Sequence, residues 1–546
     1  MSDTSKVSLP TLPVEVVYRI LDRLDIITIL CTVCNVCQRL NKIIYSYERY
    51  QVLTTVNLRN TRISNSETFI LADALKTNTA LKTLILSVNE IGDEGVKHLA
   101  GTLRNNTALT ELYLVSNKIG EVGAEYLADM LQHNTGLVTL HLSCNQIKDN
   151  GIKHLADALQ VNEKLTILDL QKNYIGCEGA QHLANALRNN TALTKLYLAN
   201  NKIGEVGAEY LADMLQHNTG LVTLHLSCNQ TKDSGIKHLA DALQVNKTLI
   251  HLDLNGNKIG KHGAKSLADA LQYNEKLTIL DLQKNYIGCE GAQHLANALR
   301  NNTTLVELNI NGNHVGYQGA QYFADVLLHS STLRILHIGN NKIRFDGLKA
   351  LADMLRTNKM LHTLDIGGNH ISDKERQYLD AEEACRLDDE QARRLEDVQA
   401  RYMAFLRTQY VTMARAPRLD NAQARYTAGE ETRDPNDEAV RYLAAALQEN
   451  STLTTLFIPN NHIGRVGTRH LADLLKKNRA LRILHLQGNI ISHEGVRDLI
   501  NALKNNNTLI ELELEFSEVT DKMAIDLDEL LERNERLTNI NTDNRE

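Results

Sequence analysis

The sequence predicts an α/β solenoid of stacked 28-residue strand–helix units, with a small all-helical segment ahead of it. Three observations predict this. The passage EKLTILDLQKNYIGCEGAQHLANALRNNT, Glu163 to Thr191, returns letter for letter from Glu275 to Thr303, a distance of 112 residues or four times 28. A leucine recurs at 81, 109, 137, 165, 193, 221, 249, 277, 305, 333 and 361, always 28 residues on. Within each unit the apolar period changes from two to about 3.6 residues. A core of unlike neighbours rarely tolerates a long verbatim copy, whereas a stack of equivalent units does.

In chain order, residues 8–50 come first. Pro13 sits where a helix accepts proline, near its first turn, and Val17, Ile20, Leu21 and Leu24 share one apolar face that Leu30, Val33 and Leu40 continue. About forty residues bury too little surface to stand alone, so the segment must dock on something. Cys31, Cys34 and Cys37 lie on this predicted helical stretch with no fourth ligand placed, which reads as core thiols and not as a metal site.

Residues 51–372 hold the repeats. LTILDL alternates apolar and polar residues, as a short strand with one buried face does, and Ala180, Leu183, Ala184 and Leu187 then follow at helical spacing. Asn189 and Asn190 end the helix. An inward Asn after each strand, such as Asn173, offers two donors and an acceptor to backbone groups that would otherwise be buried unpaired, so these residues should form a ladder. Gly176 and Gly179 are expected to give the turn into the helix its conformational freedom. One such unit cannot bury its own apolar face, so the units must stack.

Residues 373–436 interrupt the pattern, and removing them restores the 28-residue register. They are charged and largely helical by pattern, with Glu382/Arg386, Asp389/Arg393, Glu390/Arg394 and Asp397/Arg401 placing acid four residues before base. The repeats resume over 437–520 with Leu453, Leu481 and Leu509, and 521–546 reads as a C-terminal cap and tail.

Composition bounds the function. Of 546 residues, 43% are hydrophobic and 23% charged, and the net charge of -7 with no basic, aromatic-interleaved stripe argues against a nucleic-acid partner. Cys144/Cys228 and Cys177/Cys289 are duplicated positions, so copying explains half of the eight cysteines better than a disulfide framework does. No leader-like segment and no apolar run of membrane-spanning length is present, so the expected setting is cytoplasmic, with the nucleus as the alternative and no membrane partner. Neither a cofactor nor catalytic residues are expected. A Tyr, His, Asp series between the strand leucines looks enzymatic at first sight, but it follows the duplication and reads as a partner-contacting surface. Its residues are Tyr113, His141, Asp169, Tyr197, His225, Asp253, Asp281, His337, Asp365 and Phe457.

The pattern L-x-x-L-x-L-x-x-N-x-I-G-x-x-G-x-x-x-L-A-x-x-L resembles the leucine-rich repeats of ribonuclease inhibitor, NOD-like receptors and the GTPase-activating protein of Ran. The resemblance implies a horseshoe whose parallel strands line a concave, protein-binding face carrying the ten residues just named. Leu12, Pro13, Glu15, Ile20, Leu21, Leu24, Asp25, Val33, Cys34 and Leu40 resemble an F-box, with Cys37 where that family has an aromatic. That resemblance implies a Skp-type adaptor and a cullin as partners, with Leu12, Pro13, Ile20 and Leu24 at the adaptor contact. A plain helical cap on the first repeat is the alternative. The expected function is a non-catalytic scaffold that recognises substrates for a cullin-RING ubiquitin ligase. A free-standing recognition protein similar to NOD-like receptor repeats, or a GTPase activator resembling that of Ran, are the alternatives. No G-x-x-x-x-G-K-[ST] loop precedes the repeats, which excludes a complete NOD-like receptor.

Overall fold

The computed structural model describes Val14, Val17 and residues 54–76, 78–369, 435–515 and 517–543. The described residues fall into two compact units, drawn from Met1–Tyr286 with Asn301–Ile310 and from Ile287–Arg300 with Asn311–Glu546.

In the first unit ten three-residue strands lie parallel in chain order. They are Thr55–Asn57 (β1), Thr83–Ile85 (β2), Glu111–Tyr113 (β3), Thr139–His141 (β4), Ile167–Asp169 (β5), Lys195–Tyr197 (β6), Thr223–His225 (β7), His251–Asp253 (β8), Ile279–Asp281 (β9) and Glu307–Asn309 (β10). Each residue pairs with the one 28 positions on, as in Leu140↔Leu168 and His141↔Asp169. The second unit repeats the plan with Ile335–His337 (β11), Thr363–Asp365 (β12), Thr455–Phe457 (β13), Ile483–His485 (β14) and Glu511–Glu513 (β15). The chain is thus a repeat solenoid, strand and helix alternating at the spacing the leucines announce.

The middle residue of each strand points inward. Leu168 is fully buried together with Leu165, Leu170 and Ile175, and the helix Cys177–Leu187 adds Ala180, Leu183, Ala184 and Leu187. Burying one such leucine contributes about 1.5–3 kcal/mol relative to exposure, before conformational entropy is set against it. Gly179 is required by close approach: a Cβ there would meet Asp149 Oδ1 at 2.5 Å and Ile175 Cγ2 at 2.7 Å. The expectation that Gly176 and Gly179 act through conformational freedom is therefore corrected. Gly176 has an ordinary extended backbone with φ -97°.

Two asparagine ladders close the turns. After the strand, Asn173 Nδ2 donates to Leu142 O at 2.9 Å and Gln171 O at 3.1 Å, while Asn201 Oδ1 accepts from the N–H groups of Asn173 and Ile175 at 2.9 and 3.1 Å. After the helix a second ladder runs through Asn134, Asn162, Asn190 and their successors. Asn190 Nδ2 donates to Leu159 O at 2.8 Å, and its Oδ1 accepts from Ala192 and Leu193 N–H at 3.0 and 2.9 Å. Each rung thereby occupies backbone groups at a helix end and a strand start, which would cost free energy if buried unpaired. Ser330 stands at this second position in its own repeat, and its hydroxyl is buried with no hydrogen-bond partner.

A third device caps helices from the preceding repeat. Asp93, Asp149 and Asp233 accept from the N–H groups of Gly120, Gly176 and Gly260 at 2.7, 2.6 and 2.6 Å, doing for the next helix what an N-cap side chain would do for its own. Where Cys177 replaces the Asp, Gly204 turns left-handed with φ +66° and its helix begins at Gly204 itself.

In the second unit the ladder crosses the interruption in register. Thr363 pairs with Thr455, and Asn369 N–H donates to Asn461 Oδ1 at 3.0 Å across 92 residues of sequence, 64 more than elsewhere. The next helix begins at Pro435, two residues inside the expected interruption. The remainder of 373–436 lies outside the described residues. At the C-terminal end the helix Asp521–Asp543 supplies Asn534, whose Nδ2 donates to Leu509 O at 2.8 Å.

Candidate functional site

The first and third residues of every strand face away from the leucine core, and a register of 28 brings each third residue beside its successor about 4.8 Å away. In the first unit this lines up Tyr113, His141, Asp169, Tyr197, His225, Asp253 and Asp281 across β3 to β9. His337, Asp365 and Phe457 follow one another across β11 to β13 of the second unit, with His485 next.

The neighbours interact. The Tyr113 and His141 rings stack with centroids 4.6 Å apart and an interplanar angle of 7°. His141 Nδ1 lies 3.2 Å from Asp169 Oδ2. Burial pushes the Asp169 carboxyl up, but the hydrogen bonds from His141, the Gln171 N–H and Ser143 together hold it below the ordinary carboxylate value. Asp365 is held down in the same way against burial, by His337, the Gly367 N–H and the Asn311 amide at 2.7 Å. In the second triplet Tyr197 meets His225 edge-on at 4.7 Å, and His225 Nδ1 is 3.6 Å from Asp253. Burial pushes the His225 imidazole below its usual value, with Asp253 opposing and His251 assisting. In the second unit Phe457 meets His485 edge-on at 4.7 Å, and the two ring nitrogens of His485 reach Glu511 at 2.7 Å and Glu513 at 3.1 Å.

These contacts are those of a hydrogen-bonded, half-buried surface. A His–Asp dyad such as His141–Asp169 can polarise a nucleophile, but the Tyr113 hydroxyl is directed to Glu111, at 3.3 Å, with its ring stacked on the imidazole. Among the described residues no cluster of His, Cys, Asp and Glu could hold a metal ion, and no helix is long and apolar enough to cross a membrane.

The third residue alone does not make the face. The first residues of the strands, Glu111, Ile167, Lys195, His251, Ile279 and Glu307, project on the same side, and the alternation that revealed one column contained the other. The four residues expected at the adaptor contact, Leu12, Pro13, Ile20 and Leu24, lie outside the described residues.

Comparison with known families agrees with this architecture. Residues 9–51 match the F-box domain. The leucine-rich repeat model matches ten times, at 77–100, 105–128, 133–156, 161–184, 189–212, 245–268, 273–296, 301–324, 329–352 and 357–374. Between its first and last matches it passes over one repeat, the one whose buried isoleucine is replaced by Thr231. No curated protein matches the chain. A solved structure of Leiomodin-1 Actin-Binding Site 2 (ABS2) is 24% identical, covers 25% of this chain and 80% of that one, and superposes with a TM-score of 0.23, too low to carry an argument. The chain is a leucine-rich repeat protein whose N-terminal segment matches the F-box domain, an arrangement of protein-interaction modules.

Proposed function

We propose that the chain is a substrate-recognition subunit of a cullin-RING ubiquitin ligase. The F-box match at residues 9–51, directly ahead of the repeats, carries this reading. In it the N-terminal segment holds a Skp-type adaptor and through it a cullin, using Leu12, Pro13, Ile20 and Leu24. The sheet face holds the protein to be modified. Chemistry is left to other subunits, in keeping with His141 and Asp169 being spent on one another.

The test is co-purification from cells with the tagged full chain. The wild type should retain adaptor and cullin, and replacing Leu12 and Pro13 together by Ala should remove both while the melting temperature stays unchanged. If the wild type brings down no adaptor under conditions where a known F-box protein retains it, the ligase reading falls. A double variant that instead melts earlier would identify the segment as a cap on the first repeat.

A further inference from the structure

In the first unit, the loops and first helix turns that follow β5 to β9 stack into one edge of the sheet. The N–H groups of Lys172, Lys202 and Lys232 donate to the carbonyls of Ala199, Ile175 and Asn257 in neighbouring loops, at 3.0, 2.7 and 3.0 Å. Residues 170–178, 198–206, 226–234, 254–262 and 282–286 thereby bring together six lysines, Lys172, Lys202, Lys232, Lys258, Lys261 and Lys284. The same loops hold three carboxylates, and two of them are engaged. Glu205 pairs with Lys232 at 2.7 Å, and Asp233 accepts from the Gly260 N–H at 2.6 Å. Glu178 is the third.

Four of the lysines keep their charge for something else. Lys172, Lys202, Lys258 and Lys284 are exposed, and among the described residues none of the four side chains makes an ion pair or a hydrogen bond. The Lys202 ammonium lies over the Tyr174 ring, 5.4 Å from its centroid, which is a neutral partner. Successive repeats lie about 4.8 Å apart at the strands, within a Debye length of about 8 Å, so cations on adjacent loops repel one another. Lys172, Lys258 and Lys284 also hold left-handed backbone, with φ of +52°, +60° and +53°. Side chains disfavour that region, and Gly256 takes the place of Lys172 three repeats later. Neither charge nor backbone favours lysine there on the fold's own account.

We infer that this edge, from Lys172 to Lys284, docks an acidic segment of the bound protein, its carboxylates meeting Lys172, Lys202, Lys258 and Lys284. The inference rests on the reading that the chain recognises a protein, and it adds the chemistry of one part of that protein. Charge complementarity selects the occupant. A short acidic segment meets only the local excess of lysine, whereas a nucleic acid would extend past it along a chain of net charge -7. No arginine stands in these loops to grip a phosphate in two-pronged fashion.

The experiment measures binding of a fluorescently labelled oligo-glutamate peptide to the full chain at physiological ionic strength. Replacing Lys172, Lys202, Lys258 and Lys284 together by Gln should weaken binding about tenfold. A control replaces Lys153, Lys164, Lys237 and Lys265 by Gln, which changes the net charge equally at exposed positions away from this edge, and should stay within about twofold of wild type. Equal weakening in both variants, no binding by the wild type, or tighter binding of a single-stranded oligonucleotide of the same charge overturns the proposal. Adaptor co-purification is a separate readout. A chain that retains adaptor but fails the peptide test defeats this inference alone, and one that binds peptide in the expected pattern without adaptor defeats the ligase reading alone.

Discussion

Asp169 and Asp281 hold the same place in two passages of identical sequence, 163–191 and 275–303. Their frames agree. Asn173 and Asn285 donate to the carbonyls of Leu142 and Leu254, one repeat back, at 2.9 and 3.0 Å. Their faces differ. Asp169 lies between His141 and Tyr197, whereas Asp281 lies between Asp253 and Asn309. On the preceding strand the first carboxylate meets an imidazole, and the second meets another carboxylate. A repeat thus carries its inward contacts with it when copied, because every copy meets the same leucines and carbonyls. It does not carry its outward contacts, because those belong to whichever strands flank it.

The largest effect should come from the shared frame. Asn173→Ala and Asn285→Ala each leave buried backbone groups unpaired and should each cost on the order of 1–3 kcal/mol in denaturant unfolding. The two costs should agree, and the exposed change Lys172→Ala should be nearly silent. A large cost at one asparagine and none at the other would break the comparison.

A smaller effect tests the other duplication. Asn117 to Gln146 recurs closely at Asn201 to Gln230, but the next residue is Ile147 in one copy and Thr231 in the other. Both side chains are fully buried, and the Thr231 hydroxyl has no hydrogen-bond partner. Thr231→Ile should therefore stabilise the protein by about 1–2 kcal/mol, read as a higher denaturation midpoint with an unchanged slope. A loss of stability would mean that the surrounding repeat has closed around the smaller residue.

Much of this was legible from sequence, and the part that was not has a physical cause. The strands, the stacking and the first asparagine ladder follow from spacing, because inward positions see the same environment in every repeat. The second ladder was visible only as a helix stop, Asn189–Asn190, and its cross-repeat bonds needed coordinates. The capping of Gly176 by Asp149 was missed because the partners lie 27 residues apart in sequence and touch only after stacking. On the face, the letters at 169 and 281 are identical, so only the flanking strands distinguish an Asp beside a His from an Asp beside another Asp.

The pH dependence of one substitution made in both copies tests this account most directly. Asp169 titrates below its ordinary value in the folded state, so its contribution to stability is fully present above the unfolded carboxylate pKa and is lost as pH falls through the folded one. Asp169→Asn should therefore lower the melting temperature at neutral pH, with the gap to wild type closing on acidification. Asp281→Asn removes one of two opposed charges and should leave the melting temperature at neutral pH unchanged or higher. The same loss in both copies, with the same pH profile, would contradict the claim that flanking strands rather than the repeat's own sequence decide what its face does.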